Sequence, residues 1–403
     1  MKILNKRFML IMGILLLGFG LTGISAQKKD KSSKSKEPPS ETKPAPRKPR
    51  YVQPQPQPDE YEDDYDDAEY ERFKKFYEER DTAKKVAGLI DYIQNGKSLT
   101  LKTYAIGAFS QIYQDNLKAG NPGVIVEVAE KFLKIPRNTL QTLDKEAEKV
   151  NKEREKQAEK IKEGEKPAQL AISGDRTFSM LVAAAADASY KLNDKLKTVE
   201  WGEKYFAETH KPETAYILAT TYRELKNEPK FLEWSKKSLE LSRDNPNIVT
   251  DLSVDLFRYF AEKKENPEAI KYADRFIKSL PHTKKPAALT DEKWEIYKNA
   301  NLADAYFLKA EEVFAQKKYK EAITSYEHVL KYDKTRDSAL LRIGFCYWHL
   351  QNGEKAMEFF ACGEKMKGPT ESTCRSELVK IYKSLHNGTT VGIEKVYNRA
   401  HCK

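Results

Sequence analysis

Glycine is scarce in this chain, with 18 in 403 residues, and no stretch shows the strict apolar–polar alternation of a half-buried strand. Sheet architectures are therefore not expected. Cysteine is absent before Cys346, which excludes a disulfide-built scaffold for most of the chain. Beyond Ile24 no apolar run is long enough to cross a bilayer. A glycine-rich phosphate loop, HExxH, GxSxG and CxxC are all missing. The sequence thus offers no catalytic residue, no cofactor site and no metal site. Cys346 and His349 have a C-x2-H spacing, but a packed helical histidine explains it without a metal.

What is present begins with Lys2, Lys6 and Arg7, followed by an apolar run from Phe8 to Ile24 and then Ala26. A basic n-region, an h-region and a small residue are the grammar of a signal peptide, so residues 1–26 are expected to export the rest. An uncleaved anchor is the rival reading, and it too places the body in the periplasm or cell envelope. Residues 27–71 read as a disordered linker. Eight of the 18 prolines fall between Pro38 and Pro58, and nine of the thirteen residues in 59–71 are acidic. The formal net charge is +10, and the body from residue 72 carries it, because the signal and linker cancel. Export makes nucleic acid an improbable partner. Peripheral contact with a membrane or an anionic wall polymer stays open.

From about residue 70 the pattern is helical, and prolines punctuate it. "GNPG" at 120–123, "HKPE" at 210–213, "DNPN" at 244–247, "ENPE" at 265–268, "LPH" at 280–282 and "GPT" at 368–370 are each expected to start or stop a helix. N-terminal helical hairpins are expected over 72–137. A Lys/Glu-rich helical insertion follows at 138–166, exposed, with only a thin stripe of Leu143, Ala147, Val150 and Ile161. Middle repeats take 167–290, and C-terminal repeats with a cysteine-stapled tail take 291–403.

The repeats announce themselves by spacing. "YKEAITSYEHVL" at 319–330 and "GEKAMEFFACGE" at 353–364 place Ala322 34 residues before Ala356, and Tyr326 34 before Phe360. A unit from Asp337 has Leu340, Ile343, Gly344, Tyr347, Ala356, Phe360 and Gly363 at positions 4, 7, 8, 11, 20, 24 and 27. A unit from Ala303 has Tyr306, Ala310, Ala322 and Tyr326, with Lys309 and Val313 off pattern. One from Pro212 has Ala215, Leu218, Ala219 and Tyr222, and weaker units begin near Ser179 and Thr250. This spelling resembles the tetratricopeptide repeat (TPR) family. The resemblance implies an all-α, TPR-like α-solenoid of antiparallel helical hairpins in which small residues at positions 8 and 20 let two helices approach.

The same resemblance implies where a partner binds. Positions 2, 5, 9, 12 and 13 of each first helix face a concave groove, which names Asp187, Tyr190, Tyr216, Thr220, Arg223, Arg258, Phe307, Glu311, Phe345, Trp348 and His349. A protein or peptide partner is expected there, and the chain is expected to be a non-enzymatic scaffold of the cell envelope. The alternative is binding of an anionic polymer or lipid by the basic body. Finally, Cys362 and Cys374 lie six residues either side of Gly368. Equal distance from a hairpin turn suggests the disulfides Cys362–Cys374 and Cys346–Cys402.

Overall fold

A computed structural model describes residues 64–161 and 168–402, and among them all regular structure is helical. The signal segment and most of the linker lie outside the described residues. The chain divides at Glu228/Pro229 into two compact units.

The first unit contains α1 (Asp67–Tyr77), α2 (Thr82–Asn95), α3 (Leu99–Ala119), α4 (Pro122–Phe132), α5 (Arg137–Ile161), α6 (Gly174–Lys191), α7 (Lys195–Thr209) and α8 (Pro212–Glu224). Its core gathers Leu89, Tyr92, Phe109 and Phe132, with the last two rings 4.5 Å apart. Two expectations need correction here. The folded body starts earlier than residue 72, because the acidic stretch has a structural task. The Asp64 carboxylate accepts from Ser98 Oγ, Leu99 N and Thr100 N at 2.6, 2.6 and 3.2 Å. Glu69 accepts from the Tyr92 hydroxyl, Lys97 N and Ser98 N at 2.8, 2.6 and 3.0 Å. Together they supply acceptors to the otherwise unpaired amides that open α3, and negative charge belongs at that end. The insertion helix α5 is also not a free solvated rod. Leu140, Leu143 and Ala147 are buried, and buried Asn151 exchanges two hydrogen bonds with the Leu170 backbone, at 3.0 and 2.7 Å.

The second unit contains α9 (Glu228–Leu241), α10 (Pro246–Glu262), α11 (Asn266–Ser279), α12 (Asp291–Ala315), α13 (Tyr319–Tyr332), α14 (Asp337–His349), α15 (Gly353–Lys365), α16 (Glu371–Leu385) and the short α17 (Glu394–Arg399). Each proline break falls where the sequence puts it. Pro122, Pro212 and Pro246 open their helices, Pro267 lies in the first turn of α11, and Leu280–His282 is a 3-10 turn. The long spacing before the last repeats has a plain cause. Thr290 caps α12, and its 25 residues extend the hairpin backwards.

One backbone device recurs through the repeats. Asn193, Lys226, Lys264, Lys317 and Gln351 all have φ between 55° and 61°. Each occupies position 15 of the units beginning at 179, 212, 250, 303 and 337. Gln351 N bonds Trp348 O at 2.9 Å, and Asn352 N bonds Tyr347 O at 2.9 Å; Lys317 and Lys318 repeat the pair on Phe314 and Val313. This paired closure satisfies the last carbonyls of a helix and reverses the chain for the next one. The small residue at position 8 has a corrected neighbour. Gly344 lies against the Phe360 ring, position 24 of the same hairpin, rather than against position 20 alone.

The cysteines pair differently from expectation. Cys362 is bonded to Cys402, with Cα atoms 5.3 Å apart, and Cys346 and Cys374 are free, buried thiols. Equal distance from a turn sets height along a helix, but rotation about the axis sets the face. The residue opposite Cys374 is Gly363, where a Cβ would lie 2.5 Å from the Cys374 sulfur. Cys362, one residue and about 100° around the helix, meets the returning tail instead.

Candidate partner-binding face

In the second unit the first helices of the last hairpins, α12 and α14, carry a strip of aromatic rings braced by ion pairs. Phe307 is half-buried, edge-on to Tyr326 at 5.7 Å, with the Arg336 guanidinium 5.3 Å above its ring. Phe314 lies under Arg342 at 5.0 Å. On α14, Phe345 leans edge-on against Phe360 at 5.3 Å, while Trp348 is 40% exposed. His349 is exposed and stacks on Tyr319 at 4.5 Å, with the planes 6° apart.

Two carboxylates organise the charge. Asp304 accepts from Arg258 at 3.2 Å and Arg336 at 2.9 Å. Glu311 takes Arg342 in a fork, Nε to Oε1 at 2.8 Å and Nη2 to Oε2 at 2.7 Å, and receives the Tyr326 hydroxyl at 2.5 Å. Burial, then the hydrogen bond to Glu311, pushes the Tyr326 phenol far above its ordinary value. Bidentate pairing of this kind is rigid and directional. Tyr297, also on α12, is raised well above its usual value by burial and then by Asp251 and Asp255.

The sequence-named residues therefore divide. Phe307, Glu311, Phe345, Trp348 and His349 come together on α12 and α14, and Arg258 joins them through Asp304. Arg258 and Glu311 have their charges met within the fold, so they shape the face more than they offer free charge to a partner. Asp304 and Phe314 hold positions 2 and 12 of the unit from 303, so the spacing carries them. Arg336 and Arg342 fall outside those positions, and only their reach across to the neighbouring helix reveals them.

In the first unit the named residues lie on α6 and α8. Asp187 pairs with Lys191 of its own helix at 2.6 Å. Tyr190 is half-buried, its phenol pushed up by burial and then by Glu224. Thr220 is only 5% exposed and donates to the carbonyls of Tyr216 and Ile217, which removes it from a partner's reach. Tyr216 and Arg223 are half-buried on α8. Among the described residues no three metal-binding side chains converge. Cys346 is buried while His349 is exposed.

Repeated helical hairpins closed by one turn and presenting a face of first-helix side chains define a helical-repeat protein. Residues 313–361 match the tetratricopeptide repeat model, which is where the 34-residue spacing places the last two units. No curated protein sequence matches it. Solved structures similar to it include residues 41 to the end of MamA from Desulfovibrio magneticus, 13% identical, covering 47% of this chain and 94% of that one, with a TM-score of 0.32. The C-terminal part of a TPR repeat-containing protein from Cytophaga hutchinsonii is 13% identical over 68% of this chain and 92% of that one, TM-score 0.32. The TPR2AB domain of yeast Sti1, in complex with an HSP90 peptide, is 13% identical over 56% and 99%, TM-score 0.24. Overlaps this loose assign no role to any residue.

Proposed function

We propose that the protein is a non-enzymatic interaction scaffold of the cell envelope, and that the α12/α14 face binds an extended segment of a protein partner. The observation that carries this reading is the exposure of Trp348 and His349 on α14. The second-helix aromatics Tyr326 and Phe360 are fully buried, whereas first-helix Trp348 and His349 stay exposed beside half-buried Phe307 and Phe345. Aromatic rings held rigid at a surface supply contact area at low entropic cost, which is what anchors of protein interfaces do. The braced ion pairs add fixed polar edges, suited to the main chain and side chains of an extended peptide. Export rests on the N-terminal segment and belongs to the same proposal. The competing reading, an anionic polymer on a basic surface, is less favoured for this face, because Arg258, Arg336 and Arg342 already hold carboxylates.

The test is recovery of binding partners by the tagged full chain from its native envelope, wild type against Trp348→Ala/His349→Ala, with melting temperature as the control for folding. Loss of one defined protein in the variant supports the reading. Unchanged recovery, or recovery of wall polymer or lipid alone, overturns it.

A further inference from the structure

The C-terminal tail builds a second cleft, separate from the aromatic face. After α16 the chain turns at Gly392, where φ is +91° and a Cβ would come within 2.9 Å of the Tyr382 hydroxyl. That hydroxyl donates to Val391 O at 2.8 Å. The tail then lays α17 against α15, burying Val396 and Ala400, and the Cys362–Cys402 bond holds its end. Between α17, the end of α16 and the turn joining α14 to α15 lies a cleft of about 830 Å³, within the ~300–1,000 Å³ range of ordinary ligand pockets.

The lining has two parts. Met357, Tyr382 and Val396 lie buried under its floor, whose apolar surface comes from exposed Leu385 and half-buried Leu350. Lys395 and Arg399 line it one turn apart on α17, both exposed. Neither makes an ion pair with a described residue, whereas Arg258, Arg336, Arg342 and Arg375 of the same unit each hold a carboxylate. Glu354 is the one acid in the lining. Unsatisfied cations beside apolar surface select a ligand that brings both an apolar group and negative charge. Because Leu350, Leu385, Lys395 and Arg399 line one cleft, the two features must come from neighbouring residues of one ligand. A free inorganic anion would leave the floor unused.

We propose that this cleft docks an acidic peptide segment with a single apolar anchor. The anchor packs on Leu350 and Leu385, and flanking carboxylates meet Lys395 and Arg399. The disulfide holds the wall that carries both cations, so the cleft is complete only in the oxidised protein. Phe307, Glu311, Phe345, Trp348 and His349 do not line it, and of these Trp348 stands beside lining Gly353, whose Cβ position is 3.7 Å from its ring.

The experiment is fluorescence anisotropy with the oxidised full chain and the labelled, end-blocked peptide Asp-Glu-Leu-Glu-Asp. Saturable binding is expected in the range of about 1–100 µM. Lys395→Glu/Arg399→Glu should weaken it about tenfold or more, with Lys395→Gln/Arg399→Gln as the milder variant should the first fail to fold. A peptide with Ser for Leu, and one with Asn and Gln for the acids, should each weaken binding about fivefold or more. Reduction or Cys402→Ser should do likewise. No saturation by roughly 1 mM, indifference to both Lys395/Arg399 variants, or equal binding of the Ser peptide overturns the proposal.

Discussion

Gly344→Ala should damage the second unit out of proportion to its one added methyl. Gly344 lies on α14 where a Cβ would stand 2.6, 2.8 and 2.9 Å from three ring carbons of Phe360. Ordinary contact begins near 3.4 Å, so something must move by most of an ångström. The ring has little room to give way. Phe360 is fully buried, and Phe345 holds it edge-on at 5.3 Å. Overpacking of this kind costs about 1–3 kcal/mol. Taking about 2 kcal/mol for a unit of this size, the melting temperature should fall by roughly 4–8 °C. The ring is the identified cause, so shrinking it should relieve the clash. Phe360→Leu alone should cost about 1–2 kcal/mol for its lost volume. The double variant should be less destabilised than the sum by at least about 1 kcal/mol, a coupling typical of residues in contact. Thermal melts followed by circular dichroism, with urea titrations for the coupling energy, make the measurement. A Gly344→Ala melt unchanged within about 1 °C, or strict additivity in the double variant, would refute the assignment of Gly344 to close helix packing.

Other outcomes follow from the same structure. The Cys362–Cys402 bond spans 40 residues, and loop-closure entropy makes such a cross-link worth about 4 kcal/mol. Cys402→Ser should lower the melting temperature and speed proteolysis of the tail, and a peptide map of the oxidised protein should join 362 to 402. Burial pushes the Cys346 thiol up to about 12 and the Cys374 thiol up to about 11. Neither should react quickly with a thiol reagent in the native protein near neutral pH, and both should react in denaturant. Asp64 and Glu69 are opposed by burial, which raises a carboxyl. The hydrogen bonds from Ser98, Thr100 and Leu99 to the first, and from Tyr92, Ser98 and Lys97 to the second, outweigh it and hold both below their usual values. Depressed carboxyls stabilise fully above the unfolded value of about 4 and lose that contribution as pH falls through the folded value. The first unit should therefore weaken below about pH 4. Asp64→Asn/Glu69→Gln should flatten that acid limb.

Spacing made most of the fold legible. The 34-residue step from Ala322 to Ala356, and the proline breaks, placed the repeats because helix starts and hairpin crossings are local constraints written in local residues. Four of the five left-handed turns, those at lysine or glutamine, were not legible. Lysine and glutamine have no preference for that conformation, and tertiary closure of the hairpin imposes it. The roles of Asp64 and Glu69 were missed for a related reason. An acidic run reads as solvated until the amides opening α3 are seen beside it. The disulfide failed on rotation: counting from Gly368 gave the height of Cys362 but not its face. On the candidate face, the repeat positions named Phe307, Phe345, Trp348 and His349. They could not say that Thr220 turns inward, or that Glu311 spends its charge on Arg342 and Tyr326. Such pairings depend on distances between elements, which a single sequence does not record.

The measurement that tests the central claim most directly is site-specific photo-cross-linking in cells of the native host. A photoreactive residue is placed at 345 or 348 on the α12/α14 face, and at 324 on the exposed side of α13 as the control. The account predicts that 345 and 348 capture the same polypeptide and 324 does not. Capture of nothing at 345 and 348, or of the same species from all three positions, would contradict it.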